Sequence, residues 1–234
     1  MFQIYLLGSP RFSVDSQSYK IAGLPKTVPL LAFLLLQRKP LTRTKVAATF
    51  WPDVGENEAR SNLRRHLYDL KIRLPPEDPR TPWLLTATTT VQWNPAADFW
   101  LDVDHFVQCS ADPSRLSEAV SLYQGDLLPE VDEDWLFFER ERLRNLLLDD
   151  LASLITQQRQ QQAYKTAIDY AQRLLSLEPL REDMLRELMS LRYESGDRAG
   201  ALEEYRRFEQ RLRSELDVEP MLETKAHYDS IAQN

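Results

Sequence analysis

Residues 40–74 read PLTRTKVAATFWPDVGENEARSNLRRHLYDLKIRL, and they decide the fold. Thr42 has the side chain of a helix N-cap, a hydroxyl able to accept from an unpaired amide of an opening turn. A helix over residues 43–50 follows. It ends ahead of Trp51-Pro52, because proline disfavours helical backbone in the residue before it. Asp53, Gly55 and Asn57 carry turn chemistry. A second helix then covers residues 58–74. Ala59, Leu63, Leu67, Leu70 and Leu74 step by four, four, three and four, one apolar stripe on a helix of period 3.6. The opposite face holds Asn57, Ser61, Arg64, Arg65 and Tyr68, with Arg60 and Lys71 flanking the stripe. One side is therefore core. The other offers guanidinium forks, a hydroxyl and a phenol, groups that suit phosphate oxygens and base edges in the major groove of double-stranded DNA. The same pattern also describes a solvated helix with a charged back, so the surrounding chain has to separate the two readings.

Ahead of this stretch, residues 2–7 alternate weakly and are rich in β-branched and aromatic side chains. Ser9-Pro10 breaks the run. Phe12 with Val14, then Tyr19 with Ile21, read as two more short strands around a turn at 15–18, giving a small antiparallel sheet. Residues 26–37 predict a helix with Val28, Leu31, Leu34 and Leu35 inward and enough further leucine for burial on more than one side. Behind the basic helix, a proline-rich linker covers 75–82. Residues 83–93, WLLTATTTVQW, are β-prone throughout. A hairpin there, with its tip at Thr88 and Thr89, would stand as a wing beside the second helix. Its hydroxyls suit phosphate or minor-groove contact, and equally an ordinary exposed tip. Sheet, helix, helix-turn-helix and hairpin, in that order, make a winged helix.

From Asp98 the character changes. Helices are expected at 116–123, 134–162, 163–179, 180–197, 198–220 and 221–231. The long one has Trp135, Phe138, Leu143, Leu146, Leu147, Leu151, Leu154 and Ile155 as its apolar positions. Cys109 falls in an expected loop. Ala167-Ile168 recurs as Ala201-Leu202, an offset of 34, which is the tetratricopeptide period. Glu178-Pro179 and Glu219-Pro220 are 41 residues apart, so the last helix of that unit must be longer than standard. Gly196-Asp197 sits where a helix hairpin should turn. Stacked helix pairs of this kind form a protein-binding groove. The fold class expected is mostly α with a small β component. A winged helix-turn-helix domain at 1–97 precedes an α-helical, tetratricopeptide-like domain at 98–234.

The net charge of −7 hides an asymmetry. Through Ala97 there are 13 Lys and Arg against 7 Asp and Glu, a balance of +6; the remainder holds 16 against 29, or −13. The first part suits a polyanion, and the second suits protein partners. One cysteine allows no internal disulfide and points to a reducing, cytoplasmic setting. The first residues, MFQIYLLG, lack the basic segment of a signal peptide. The longest apolar run, residues 29–36, is far short of the roughly 20 that a membrane span needs. His66, His105 and His227 have no metal-ligand spacing, and no phosphate loop of the GxxxxGK[ST] kind is present. Asp132-Glu133-Asp134 reads as helix N-terminal charge rather than a catalytic pair. No enzyme, metal or cofactor is expected.

Four pieces carry a resemblance by their order and spacing: TFWPDVGENEARSNLRRHLYDLKIRL, VQWNPAADFWLDVDHF, YQGDLLPEVDEDWLFFERERLRNLLLDDLASL and EPLREDMLRELMSLRYESGDRAGALEEYRRFEQRLRSELDVEP. They resemble the SARP-type bacterial transcriptional activators, a response-regulator-type winged helix followed by a bacterial transcriptional activation domain. They are similar also to the N-terminal part of larger regulators of that kind. The resemblance implies binding to direct repeats near promoters, a homodimer at least on DNA, and recruitment of RNA polymerase. By position it implies a DNA-facing set of Arg64, Arg65 and Tyr68. Around them stand Arg43, Lys45, Arg60, Ser61, Lys71, Thr88 and Thr89. The turn with Asp53, Val54, Gly55 and Glu56 matches the loop that faces polymerase in this winged-helix type. The rival reading is an interaction scaffold whose winged helix binds protein. It would show an apolar patch on the outer face, and Ile72 is the one residue there that points to it.

Overall fold

A computed structural model describes residues 1–233. It divides into two compact units. The first joins Met1–Gln108 to Ser121–Arg144; the second joins Cys109–Val120 to the chain from Asn145 onward.

The first unit opens on β1 (Phe2–Tyr5), β2 (Arg11–Val14) and β3 (Gln17–Tyr19), paired antiparallel in sequence order. The turn between β2 and β3 is two residues, shorter than expected, and Gln17 and Ser18 belong to the strand. Asp15 and Ser16 take φ of 48° and 67°, the left-handed pair that a two-residue hairpin matched to strand twist requires. Next comes α1 (Thr27–Gln37). Its leucines explain its place: Leu30, Leu31, Ala32, Phe33, Leu34 and Leu35 are all buried, so the helix is covered on several sides. Val28 is only half-buried, against its expected inward position.

Then follow β4 (Leu41–Thr42), α2 (Arg43–Phe50) and α3 (Glu56–Arg73). Thr42 caps α2 as its side chain foretold, its hydroxyl accepting from the Lys45 amide at 3.3 Å. The second helix starts two residues earlier than expected. Gly55 takes the N-cap position with extended backbone, and Glu56 and Glu58 place negative charge in the first turn, where the helix dipole favours it. Leu74 is the C-cap rather than a helical residue. The hairpin is β5 (Leu84–Thr86) and β6 (Thr90–Trp93), with Leu84 opposite Trp93 and Thr86 opposite Val91. Strand β4 pairs with the other side of β6, giving the order β4-β6-β5. Helices α1, α2 and α3 and this small sheet form the winged helix.

Beyond Ala97, β7 (Phe99–Leu101) runs parallel to β1 and completes the sheet β3-β2-β1-β7, which sequence reasoning left one strand short. It leads into α4 (Asp102–Ser110). Cys109 is a buried residue of this helix and not a loop residue, because the apolar side chains of Val103 and Phe106 turn the same face inward. Buried Asp102 accepts from the amides of Leu6, Leu7 and Val103, each at 2.8 Å, and so fastens the start of α4 to the chain after β1.

The remaining helices are α5 (Leu116–Leu122), α6 (Trp135–Gln160), α7 (Tyr164–Leu177), α8 (Glu182–Glu194), α9 (Arg198–Leu216) and α10 (Leu222–Gln233). The start of α6 belongs to the first unit. There Trp135 meets Phe33 and Phe50 at ring-centre distances of 5.0 and 6.2 Å, and Lys26 pairs with Glu133 at 2.9 Å. Arg140 donates to the carbonyls of Leu127, Leu128 and Val131 and so fixes the segment before it. Phe138 is not a core position. Both it and Phe137 point outward, and Leu136 takes the buried site.

In the second unit α8 packs on α7 and α9, and α10 on α8 and α9. The core joins Leu185, Met189, Ala201, Tyr205, Phe208, Leu212 and Ile231. Ala167 and Ala201, the recurring small residues, are both wholly buried. Gly196 makes the turn before α9 at φ 88°, and Asp197 caps that helix through the Gly200 amide. At 19 residues α9 exceeds the 14 of α7, which is the extra length implied by the wider proline spacing.

Candidate nucleic-acid interface

The apolar stripe of α3 lies inward: Ala59, Leu63, Leu67, Leu70 and the capping Leu74 are buried. His66 joins them, a position sequence reasoning missed. Its Nδ1 lies 2.8 Å from the Asn62 carbonyl, and its ring packs on Trp51 at 4.9 Å. Ser61, Arg64, Arg65, Tyr68, Lys71 and Ile72 are exposed on the outer side.

A cleft of about 710 Å³ separates α3 from the hairpin tip. Arg43, Arg60, Arg64, Thr88 and Thr89 line it, together with Thr42 and Thr44 at the start of α2. The tip is fastened rather than free. The Arg43 amide donates to the Thr89 carbonyl at 2.8 Å, and Arg43 Nε donates to the Ala87 carbonyl at 3.0 Å. The wing tip and the start of α2 are thus tied to each other by two hydrogen bonds.

The cations of the site are not equivalent. Arg60 pairs with Glu56 at 2.8 Å and donates to Thr44 Oγ1 at 2.8 Å, so it organises the cleft wall. Lys71 lies 4.0 Å from Glu77. Lys45, Arg64 and Arg65 have no ion-pair partner among the described residues, and they are exposed. An anion reaching the outer face meets them with their donors uncommitted.

The turn between the helices is held from behind, where Lys26 Nζ donates to the Phe50 carbonyl at 2.7 Å. Asp53 and Gly55 are exposed and Val54 half-buried. Glu56, expected in the turn, is the first residue of α3 and is spent on Arg60.

Sequence reasoning also passed over Asp69. Its carboxylate accepts from the Leu24 amide at 3.0 Å, the Thr27 hydroxyl at 2.7 Å and Arg73 Nε at 3.0 Å. Desolvation works against its charge, but these donors outweigh it and hold the carboxyl below its ordinary range. Gly23 is required beside it, since a Cβ there would fall on this carboxylate and on the Thr27 hydroxyl. The one available signal was an acid four residues ahead of Arg73 in the basic C-terminal half of the helix.

Among the described residues, no three His, Cys, Asp or Glu side chains are placed to hold a metal ion. Among the described residues no helix is long and apolar enough to cross a membrane.

The family description "Bacterial transcriptional activator domain" matches residues 108–232. Among solved structures, the chain is similar in fold to Mycobacterium tuberculosis EmbR in complex with a low-affinity phosphopeptide. The TM-score is 0.72 at 21% identity, over 99% of this chain and 65% of that one. The chain therefore spans somewhat under two thirds of the length of that structure. A comparison with curated proteins gave no match.

Proposed function

Since this chain belongs to the bacterial transcriptional activator domain family, that of the SARP-type transcription regulators its sequence resembles, we propose that it reads DNA sequence. In this reading α3 lies in a major groove. Ser61, Arg64, Arg65 and Tyr68 meet bases and phosphates there. Lys45, Arg60 and Lys71 flank them, and Thr88 and Thr89 meet the adjoining backbone. Arg43 acts mainly by holding the wing tip. Functionally, residues 1–97 bind DNA and 98–234 form the activation part, a tetratricopeptide-like protein-binding array. Copies sit side by side on direct repeats near promoters, in the cytoplasm, and the turn from Asp53 to Glu56 contacts RNA polymerase.

The observation that carries this reading is the cleft between α3 and a pinned wing, beside cations left without partners. Binding through such groups releases counterions, so affinity must fall steeply with salt. The test is binding of the purified chain to DNA from upstream of its own gene, and to random duplex, across a salt series. A preference for the upstream DNA with a steep salt slope is expected. Binding no tighter than that of an unrelated acidic protein of similar size would overturn it. The scaffold reading would then take over, favoured by the exposure of Tyr68 and Ile72 on the same face.

A further inference from the structure

Ser61, Arg65, Tyr68 and Ile72 step by four, three and four along α3 and form one line on its outer face. Two of the four are largely apolar, and both stand in solvent: Tyr68 is 68% exposed and Ile72 59% exposed. An isoleucine and a phenol ring held out together on a face with two unpartnered guanidinium groups call for a complement that is anionic yet carries apolar points. The major groove has one such group at base edges, the 5-methyl of thymine. Phosphates on either side supply the anions.

Resting on the DNA-reading function proposed above, we infer that Tyr68 and Ile72 are specificity residues that read thymine methyls within the recognition site. The spacing agrees with this. Four residues of helix rise about 6 Å, close to two base-pair steps of roughly 3.4 Å. The pair would therefore meet thymines about two steps apart, with Arg64 and Arg65 placing the helix against the backbone or a guanine. Neither side chain is held by a neighbour in the fold, so truncating either leaves the core stripe of α3 in place.

The test begins with duplexes selected by the wild-type chain from a random library. In the preferred duplex each thymine is replaced in turn by deoxyuridine, which deletes only the methyl. Affinities are measured for wild type, Ile72→Ala and Tyr68→Ala, with thermal melts to verify folding. At one or two positions the wild type should lose about fourfold on losing the methyl, the effect of one methyl-sized group removed from contact. Ile72→Ala or Tyr68→Ala should bind the thymine and deoxyuridine duplexes alike at its own position. A preferred duplex in which deoxyuridine replaces every thymine without loss overturns the inference while leaving the DNA-reading function intact. So does a thymine preference undiminished in both variants. Either result removes the apolar pair from thymine reading. A library that yields no preferred duplex overturns both.

Discussion

Arg64 and Arg65 differ from their neighbours in having nothing to do inside the fold, whereas Arg60 and Arg43 each hold a piece of it. The two groups should therefore respond differently to truncation. Arg64→Ala or Arg65→Ala should weaken DNA binding and leave the melting temperature unchanged. A phosphate contact lowers affinity on all sequences and reduces the salt slope by about one; a base contact relaxes one position by about 1–3 kcal/mol. Equal affinity of both variants and wild type would remove α3 from the groove. Asp102 lies at the other extreme. Asp102→Ala leaves the amides of Leu6, Leu7 and Val103 buried without an acceptor. Unfolding by urea should show a loss upwards of about 3 kcal/mol, at 1–3 for each unsatisfied group. At this scale the sequence was readable where a residue works locally. Thr42 declares its cap, and the leucines of α3 declare their face. Asp102 and Asp69 were not readable, because beyond nearby Val103 and Arg73 their partners lie 95 or 96 and 42 or 45 residues away and a carboxylate carries no mark of the amide it will meet.

The element that shapes the site, α3, is fixed by its stripe on one side and by Asp69 at its flank. Leu70→Ala should destabilise the first unit by about 2–5 kcal/mol, read by denaturant unfolding, since Leu70 is wholly buried. A variant as stable as the parent would mean that another side chain fills the space. Asp69 adds a pH dependence. Its folded pKa lies below the unfolded one, so its contribution is complete above the ordinary carboxylate range and is lost as pH falls through the depressed folded value. Asp69→Asn should therefore be less stable than wild type at neutral pH, and the gap should narrow as pH falls through the depressed folded value. A gap that persists in acid would assign the effect to geometry rather than charge. Among elements, α2, α3 and the hairpin were legible because periodicity, capping and β-propensity agree over the same residues. Strand β7 and helix α4 were missed. Three residues of strand carry too little alternation, and β7 exists only because β1 offers it a parallel edge. The misplacement of Cys109 followed directly. Phe138 failed for another reason: an aromatic in a long helix reads as core, yet here Leu136 fills the interior.

Across the whole molecule the charge asymmetry sets the behaviour toward a polyanion. The outward-facing cations without ion-pair partners on and beside α3, Lys45, Arg64 and Arg65, lie before Ala97, and the excess of carboxylates lies after it. Raising salt should thus weaken DNA binding far more than it changes stability, because the second unit's acidic residues are spread among arginine partners. Arg159 with Glu187 and Glu194, and Arg192 with Asp197 and Glu204, are such groups. A salt titration that melted the protein in step with its loss of binding would contradict this. One further property comes with the molecule unaltered. Its single thiol, on Cys109, is wholly buried, and desolvation, seconded by the charge of Glu118, pushes its pKa up, so almost none of it is thiolate near neutrality. A maleimide should leave the native chain unlabelled for as long as α4 stays closed and add one equivalent once it opens. The alkylation rate against denaturant is then a clock for opening events that global melting never sees. It needs no introduced probe, and running it with and without DNA would report whether occupying α3 slows the breathing of α4.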